Sequence, residues 1–261
     1  MRIALGLEYR GLSYRGWQSQ PDGHTVQDCL EAALARFIGG PVRVACAGRT
    51  DAGVHALQQV THFDSPVMRE PFSWVRGVNA FLPADIAVRW AQGVGAAFHA
   101  QKSAQSRRYR YVLHQGAVRP ALLQGLVGWT HLSLDVDAMR ASAAVLLGTH
   151  DFSAFRASSC QAKTPVKTLL AVDIARQGDT WMIDFEANAF LHHMVRNIMG
   201  CLIAVGSGAR DPQWLQQVLL SRSRSLAAPT FMPDGLYFLG PRYPSQWGLP
   251  APAEDRPILF T

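Results

Sequence analysis

Over residues 1–9 apolar and polar positions alternate with a period of two, the mark of a strand with one buried face. The alternation then stops, and residues 10–23, punctuated by glycine and rich in aromatic and amide side chains, read as a loop. From 25 to 37 the period lengthens to that of a helix. Val26, Leu30, Ala33, Leu34 and Phe37 form one stripe, Thr25 and Asp28 resemble a capping pair, and Gly39-Gly40-Pro41 ends the element. Short β-rich runs at 41–46, 57–63 and 86–90 predict strands. Residues 71–82 predict a helix with Phe72, Val75, Val78 and Phe81 or Leu82 turned inward. The resulting β-α-β-β-α-β order is that of an α+β split β-α-β unit.

A second stretch repeats this flavour. Residues 108–113 alternate as a strand, 136–147 make a helix, and 166–175 pair with 180–187 as a hairpin across Gln177-Gly178-Asp179. Residues 190–205 are a strongly apolar helix, Asp211-Pro212 opens another, and 235–239 look like a last strand before an irregular tail at 241–257. The expected fold is therefore α+β. Two split β-α-β-like units form a mixed, mainly antiparallel central sheet flanked by helices, with the active-site cleft between them. The division falls into residues 1–102 and 103–261.

Composition narrows the class. The chain has 261 residues, 48% hydrophobic and 17% charged, which suits a globular protein with sizeable cores. No uninterrupted apolar stretch is long enough to cross a bilayer, and the first strand lacks signal-peptide flanks, so a soluble cytoplasmic protein is expected. Cys29, Cys46, Cys160 and Cys201 are scattered without metal-ligand spacing and read as reduced thiols.

The formal charge of +6 favours a polyanionic partner, and its distribution is uneven. Residues 100–167 hold nine basic residues against three acids, interleaved with Tyr109, Tyr111, Phe152 and Phe155. That mixture suits phosphate contacts combined with base stacking.

The strongest chemistry lies in Ala47-Gly48-Arg49-Thr50-Asp51-Ala52-Gly53-Val54-His55-Ala56. A strand arrives, glycines bracket Arg-Thr-Asp-Ala, and Asp51 is left at the tip of a strand-ending loop. Asp is also a common turn residue, but Arg49 and His55 add a fixed cation and a titratable group within a few positions. Elsewhere, alternation in Arg107-Arg108-Tyr109-Arg110-Tyr111 puts the tyrosines on one face and Arg108 and Arg110 on the other. Arg196 is a lone cation on an apolar helix and needs an anionic partner. His192 and His193, read as successive helical residues about 100° apart, are badly placed to share a metal ion.

The run from Gly48 to Ala56 resembles the active-site motif of the tRNA pseudouridine synthase A family. Further segments are similar to that family in the same order: the Gly16-Trp17-Gln18 loop, Arg107 to Tyr111, Gly148 to Arg156, Asn188 to Asn197, and Gly235-Leu236-Tyr237. In the first of them Arg10 stands where the family has an aspartate. The resemblance implies isomerisation of uridine to pseudouridine in tRNA, at positions 38, 39 and 40 of the anticodon stem-loop, by a homodimer without cofactor or metal. It implies Asp51 as the catalytic residue, Tyr109 against the target base, Arg196 paired with Asp51, and Leu236 as a pocket wall. Arg49 is expected to hold the RNA backbone or fill the space the base vacates. Arg15, Gln18, Arg107, Arg108, Arg110 and Arg156 are the expected further RNA contacts. Two other readings stay open: a non-catalytic tRNA-binding or folding protein, and a metal-dependent hydrolase built on Asp51, His55, His192 and His193.

Overall fold

The structure, a computed structural model, describes residues 1–250. In chain order the elements are β1 (Arg2–Tyr9), α1 (Val26–Ile38), β2 (Ala45–Cys46), β3 (His55–Asp64), α2 (Pro71–Asn79), β4 (Ile86–Val94), β5 (Ser106–Gln115) and β6 (Gly128–Thr130). They continue with α3 (Val136–Ala144), β7 (Gly148–Asp151), β8 (Val166–Gln177), β9 (Thr180–Ala187), α4 (Met194–Gly206), α5 (Trp214–Ser221) and β10 (Leu236–Arg242). No described helix is long and apolar enough to cross a membrane.

The described residues form two compact units: Met1–Arg107 together with those from Tyr237 onward, and Arg108–Leu236. The sequence division at 102/103 gave all of the C-terminal part to the second unit. In the structure the last strand belongs with the first, because Tyr237 and Phe238 pair in parallel with His55 and Ala56 of β3. The irregular tail accordingly begins after Arg242, and residues 251–257 of it lie outside the described residues.

In the first unit β4, β1, β3 and β10 lie side by side. β1 is antiparallel to both β3 and β4, and β2 pairs antiparallel with β3 through Ala45↔His62 and Cys46↔Thr61. One edge of β3 is thus shared between β10 at its start and β2 further along, and the segment joining β2 to β3 must turn back over that edge.

α1 forms as its stripe predicts. Val26, Leu30, Ala33 and Leu34 are buried, each large aliphatic side chain contributing about 1.5–3 kcal/mol in transfer from water. The Thr25 hydroxyl accepts from Asp28 N–H at 3.2 Å, and Gly39 closes the helix at φ 86°.

Two expectations in this unit change. β2 is only two residues long, because Val44 N–H donates to the Glu31 carboxylate of α1 (3.0 Å) instead of joining the sheet, and Arg43 pairs with the same carboxylate. On α2 the buried face is Trp74 and Val78, one turn apart, while Phe72 is 68% exposed and Phe81 is exposed as well. Phe72 precedes Trp74 by two residues, about 200° around the helix, so both rings cannot face the core. Trp74 is the one that does, meeting Phe37 and Phe63 edge-on.

In the second unit β5, β9, β8 and β7 are neighbours, with β6 parallel to β5. β8 and β9 form the expected hairpin around Gly178 (φ 58°). Residues 148–151 are a strand antiparallel to β8. α3 packs on α4 and β8, and the Asp211 carboxylate caps α5 by accepting from Trp214 N–H (3.0 Å). Helices on mixed, mainly antiparallel sheets give the expected α+β class.

The apolar helix begins four residues later than the pattern suggests. α4 starts at Met194, and His193 just before it is left-handed at φ 62°. A left-handed residue cannot continue a right-handed helix, so residues 188–193 form a loop. His192 and His193 therefore do not follow helical spacing; their rings lie tilted at 45° to one another with centroids 4.0 Å apart.

Candidate active site

Asp51 sits in the connection from β2 to β3, and the backbone on both sides of it is held. Ala47 N–H donates to Val60 O (2.8 Å), and Gln59 Nε2 donates to Gly48 O (2.6 Å), so the entry is fixed to β3. Thr50 is buried; its hydroxyl meets the Tyr9 hydroxyl at 2.8 Å and its carbonyl accepts from Trp17 N–H (3.0 Å). The exit is a tight turn in which Val54 N–H returns to Asp51 O (3.2 Å) and Gly53 takes φ 81°.

The loop of residues 10–23 is the other wall of this cradle. Trp17 is buried against Tyr9, with ring centroids 5.9 Å apart. Gly16 has φ 87°, and a Cβ there would lie 2.7 Å from Thr50 O, so glycine is required for the two loops to meet. The outcome is a half-buried Asp51 next to an exposed Arg49, on a backbone with little freedom.

His55 is fully buried. Its Nδ1 accepts from Gly11 N–H (3.2 Å), and its ring stacks on Tyr237 at 4.6 Å and 23°. One ring nitrogen is thus committed to the backbone, which makes His55 a keystone between β3, β10 and the 10–23 loop. Burial pushes the Cys46 thiol at the loop entry up to about 12 against the pull of Arg49 and Arg107, so it stays a neutral thiol.

Arg107, expected to touch RNA, directs its guanidinium to the protein. Nε donates to Ala47 O (3.1 Å), Nη1 to Ala104 O (3.2 Å) and Nη2 to Gln101 O. Arg15 is exposed and paired with Asp22, and Gln18 is exposed. Arg10 is exposed too, with its N–H on Asp85 O (2.9 Å).

In the second unit Tyr109 lies on β5, 8% exposed, with Phe190 edge-on at 5.1 Å. Tyr111, two residues on, is fully buried and donates to Met232 O (3.0 Å) and Asp234 O (2.6 Å). The opposite face of β5 is not the solvated basic face its alternation suggests. Arg108 is buried, and Arg110 makes a two-point ion pair with Asp184 at 2.6 and 2.7 Å. Arg156 donates to Cys160 O and Ala162 O, closing the loop after Phe155.

Arg196, in the first turn of α4, is half-buried; its Nε donates to Phe231 O (2.9 Å) while Phe231 N–H returns to Arg196 O (3.1 Å). Leu236 is buried at the start of β10. One supporting residue was missed. Asn197 is fully buried, donates to Phe155 O (2.7 Å) and accepts from Thr230 (2.6 Å) and Arg224 (3.2 Å), pinning the 224–231 segment to α4 beside Arg196. An amide in the middle of an apolar helix is the signal that points to it.

Comparison with known proteins shows the family. A family model described as tRNA pseudouridine synthase matches residues 7–101 and 142–244. Similar curated proteins include the tRNA pseudouridine synthase A of Methylibium petroleiphilum, 62% identical over 98% of this chain and 99% of its own. That of Variovorax paradoxus is 61% identical over 97% and 95%. Both relatives span residues 102–141, where the family model leaves a gap that includes Arg107 to Tyr111. Among solved structures, an archaeal box H/ACA sRNP Nop10–Cbf5 complex covers 86% of this chain and 60% of its own at 12% identity and TM-score 0.36, a likeness too distant to carry weight. With the model matching well over half of its residues and relatives aligned end to end, this chain belongs to the tRNA pseudouridine synthase family.

Proposed function

We propose that this protein isomerises uridine to pseudouridine in tRNA, at positions 38, 39 and 40 of the anticodon stem-loop, with Asp51 as the catalytic residue. The observation that carries the proposal is the braced loop that presents Asp51 half-buried beside an exposed Arg49, in a chain of this family.

The reaction breaks the ribose C1′–N1 bond and makes C1′–C5, after which the C5 hydrogen leaves as a proton and N1 gains one. Nothing is oxidised or reduced, so the residues need only hold the base, turn it and manage charge. A carboxylate can attack the ribose, attack the pyrimidine ring or remove a sugar proton, and each route makes Asp51 essential. A fixed backbone suits any of them, because a reactive group must be held to within a fraction of an ångström.

The uridine must leave its stack to reach Asp51. Tyr109, held edge-on by Phe190, is the platform for the extruded base, Leu236 forms a wall of its pocket, and Arg49 contacts the backbone or fills the vacated position. Arg196 is in our reading the cation whose charge keeps the catalytic carboxylate ionised, since an opposite charge lowers a carboxylic acid's pKa. Arg15 and Gln18 are in our reading RNA contacts, and the basic residues of 100–167 add attraction for the polyanion even where Arg108, Arg110 and Arg156 are built into the fold. The working form is a homodimer in the cytoplasm that uses neither metal nor cofactor.

Tritium release from tRNA labelled at uridine C5 tests this reading. Wild-type protein should release tritium with or without a chelator, and Asp51→Ala should bind tRNA yet release none. Tight tRNA binding by wild type with no release would leave a non-catalytic tRNA-binding protein, and loss of release on chelation would point to a metal enzyme.

A further inference from the structure

We propose that Arg107 is a positioning residue for the Asp51 loop and not a contact to the RNA. This rests on the reading of Asp51 as the catalytic residue. The sequence places Arg107 at the head of a run of arginines and tyrosines in the most basic part of the chain, where a phosphate contact is the natural expectation. Its geometry says otherwise. The guanidinium reaches three backbone carbonyls: Ala47, the first residue after β2, and Gln101 and Ala104, in the segment just before β5.

Ala47 is a point of leverage. It is buried in the cluster formed with Ala4, Val60, Phe98 and Ala100, and its N–H is tied to Val60 O. Its carbonyl accepts from Arg107 Nε. Gly48 follows directly, with its own carbonyl held by Gln59, and a Cβ added there would meet the Phe238 ring at 3.4 Å and the Arg107 stem at 3.9 Å. The stretch from Ala47 to Asp51 is thereby anchored at Ala47 by Arg107, at Gly48 by Gln59 and at Thr50 by Tyr9 and Trp17. Of these anchors Arg107 alone joins the loop to residues 101–104. Three carbonyls at separate positions need the branched guanidinium, since the single ammonium of a lysine cannot span them.

The test pairs Arg107→Lys with Arg107→Gln. Lysine keeps the charge and the stem, so a phosphate contact would survive it, whereas a brace would not. In Arg107→Lys, kcat for pseudouridine formation should fall about ten- to hundredfold, the scale of a small misplacement of a reacting group, with the dissociation constant for tRNA unchanged. In Arg107→Gln the slope of log affinity against log salt should match wild type, where loss of a phosphate contact would flatten it by about 0.7–0.9. Amide exchange should speed up in both folded variants across residues 47–54 and in the 101–104 segment that shares the brace, and in no other loop of the first unit. Wild-type kcat in Arg107→Lys, or a flattened salt slope in Arg107→Gln, would overturn the inference. So would unchanged exchange at 47–54, which is read without reference to activity. A wild-type protein that forms no pseudouridine would sink the functional reading, and the exchange result would still decide the brace.

Discussion

At the scale of single residues, the groups that keep a fixed protonation state matter as much as those that react. His62, on β3, is buried and its pKa is lowered to about 4, first by burial and then by the His99 and Arg2 charges, with Asp64 opposing. Its Nδ1 accepts from Ala100 N–H (3.2 Å), and His99 Nδ1 accepts from Gln101 and Lys102 N–H in the same way, its ring 4.7 Å from His62. Both rings are therefore acceptors and neutral. In the unfolded chain a histidine titrates near 6.5, so between about 6.5 and about 4 the unfolded state binds a proton that folded His62 refuses. Stability should fall as pH drops through that window, by at most about 1.4 kcal/mol per pH unit for this group. Asn offers a carbonyl oxygen in place of Nδ1, so His62→Asn should flatten the dependence in urea titrations run at pH 7 and pH 5. An equally steep decline in the variant would exclude His62 as its source.

At the scale of elements, the sequence is most legible where local signals agree. α1 has a stripe, a cap and a glycine stop, and all three are found where expected. Thr25→Ala removes the side-chain acceptor for Asp28 N–H and should lower global stability by about 1 kcal/mol, read as a lower urea midpoint at unchanged m-value. The Asp51 loop is legible for a similar reason, since the motif is contiguous. Misreadings arise where a distant partner overrides the local pattern. The Glu31 carboxylate takes Val44 N–H and shortens β2, and the left-handed His193 stops a helix that Phe190 and Leu191 would otherwise extend. The direction of Arg107 was hidden for the same reason, because the carbonyl it meets on the Asp51 loop lies 60 residues earlier.

At the scale of the whole molecule, the net charge of +6 predicts an electrostatic share in tRNA binding. Affinity should drop steeply between 50 and 200 mM salt, as it does when several phosphates are neutralised. The structure spends Arg107, Arg110 and Arg156 on internal partners, so the salt slope should report fewer contacts than a count of basic residues suggests. Arg10 is exposed at the position where the family has an aspartate. If its charge serves the tRNA, Arg10→Asp weakens binding and flattens the slope, and identical titrations across salt would show that it does not.

The return of the chain to its first unit has a temporal consequence. β3 can form as soon as residues 55–64 leave the ribosome, but the neighbour that covers its start, with Tyr237 stacked on His55 and Phe238 beside Gly48, is made more than 170 residues later. Throughout synthesis of the intervening unit the Asp51 loop lacks that support. A nascent or prematurely terminated chain would carry the Asp51 motif intact in sequence yet without β10 beside it, so the fold delays completion of this loop's support until Tyr237 and Phe238 have been made.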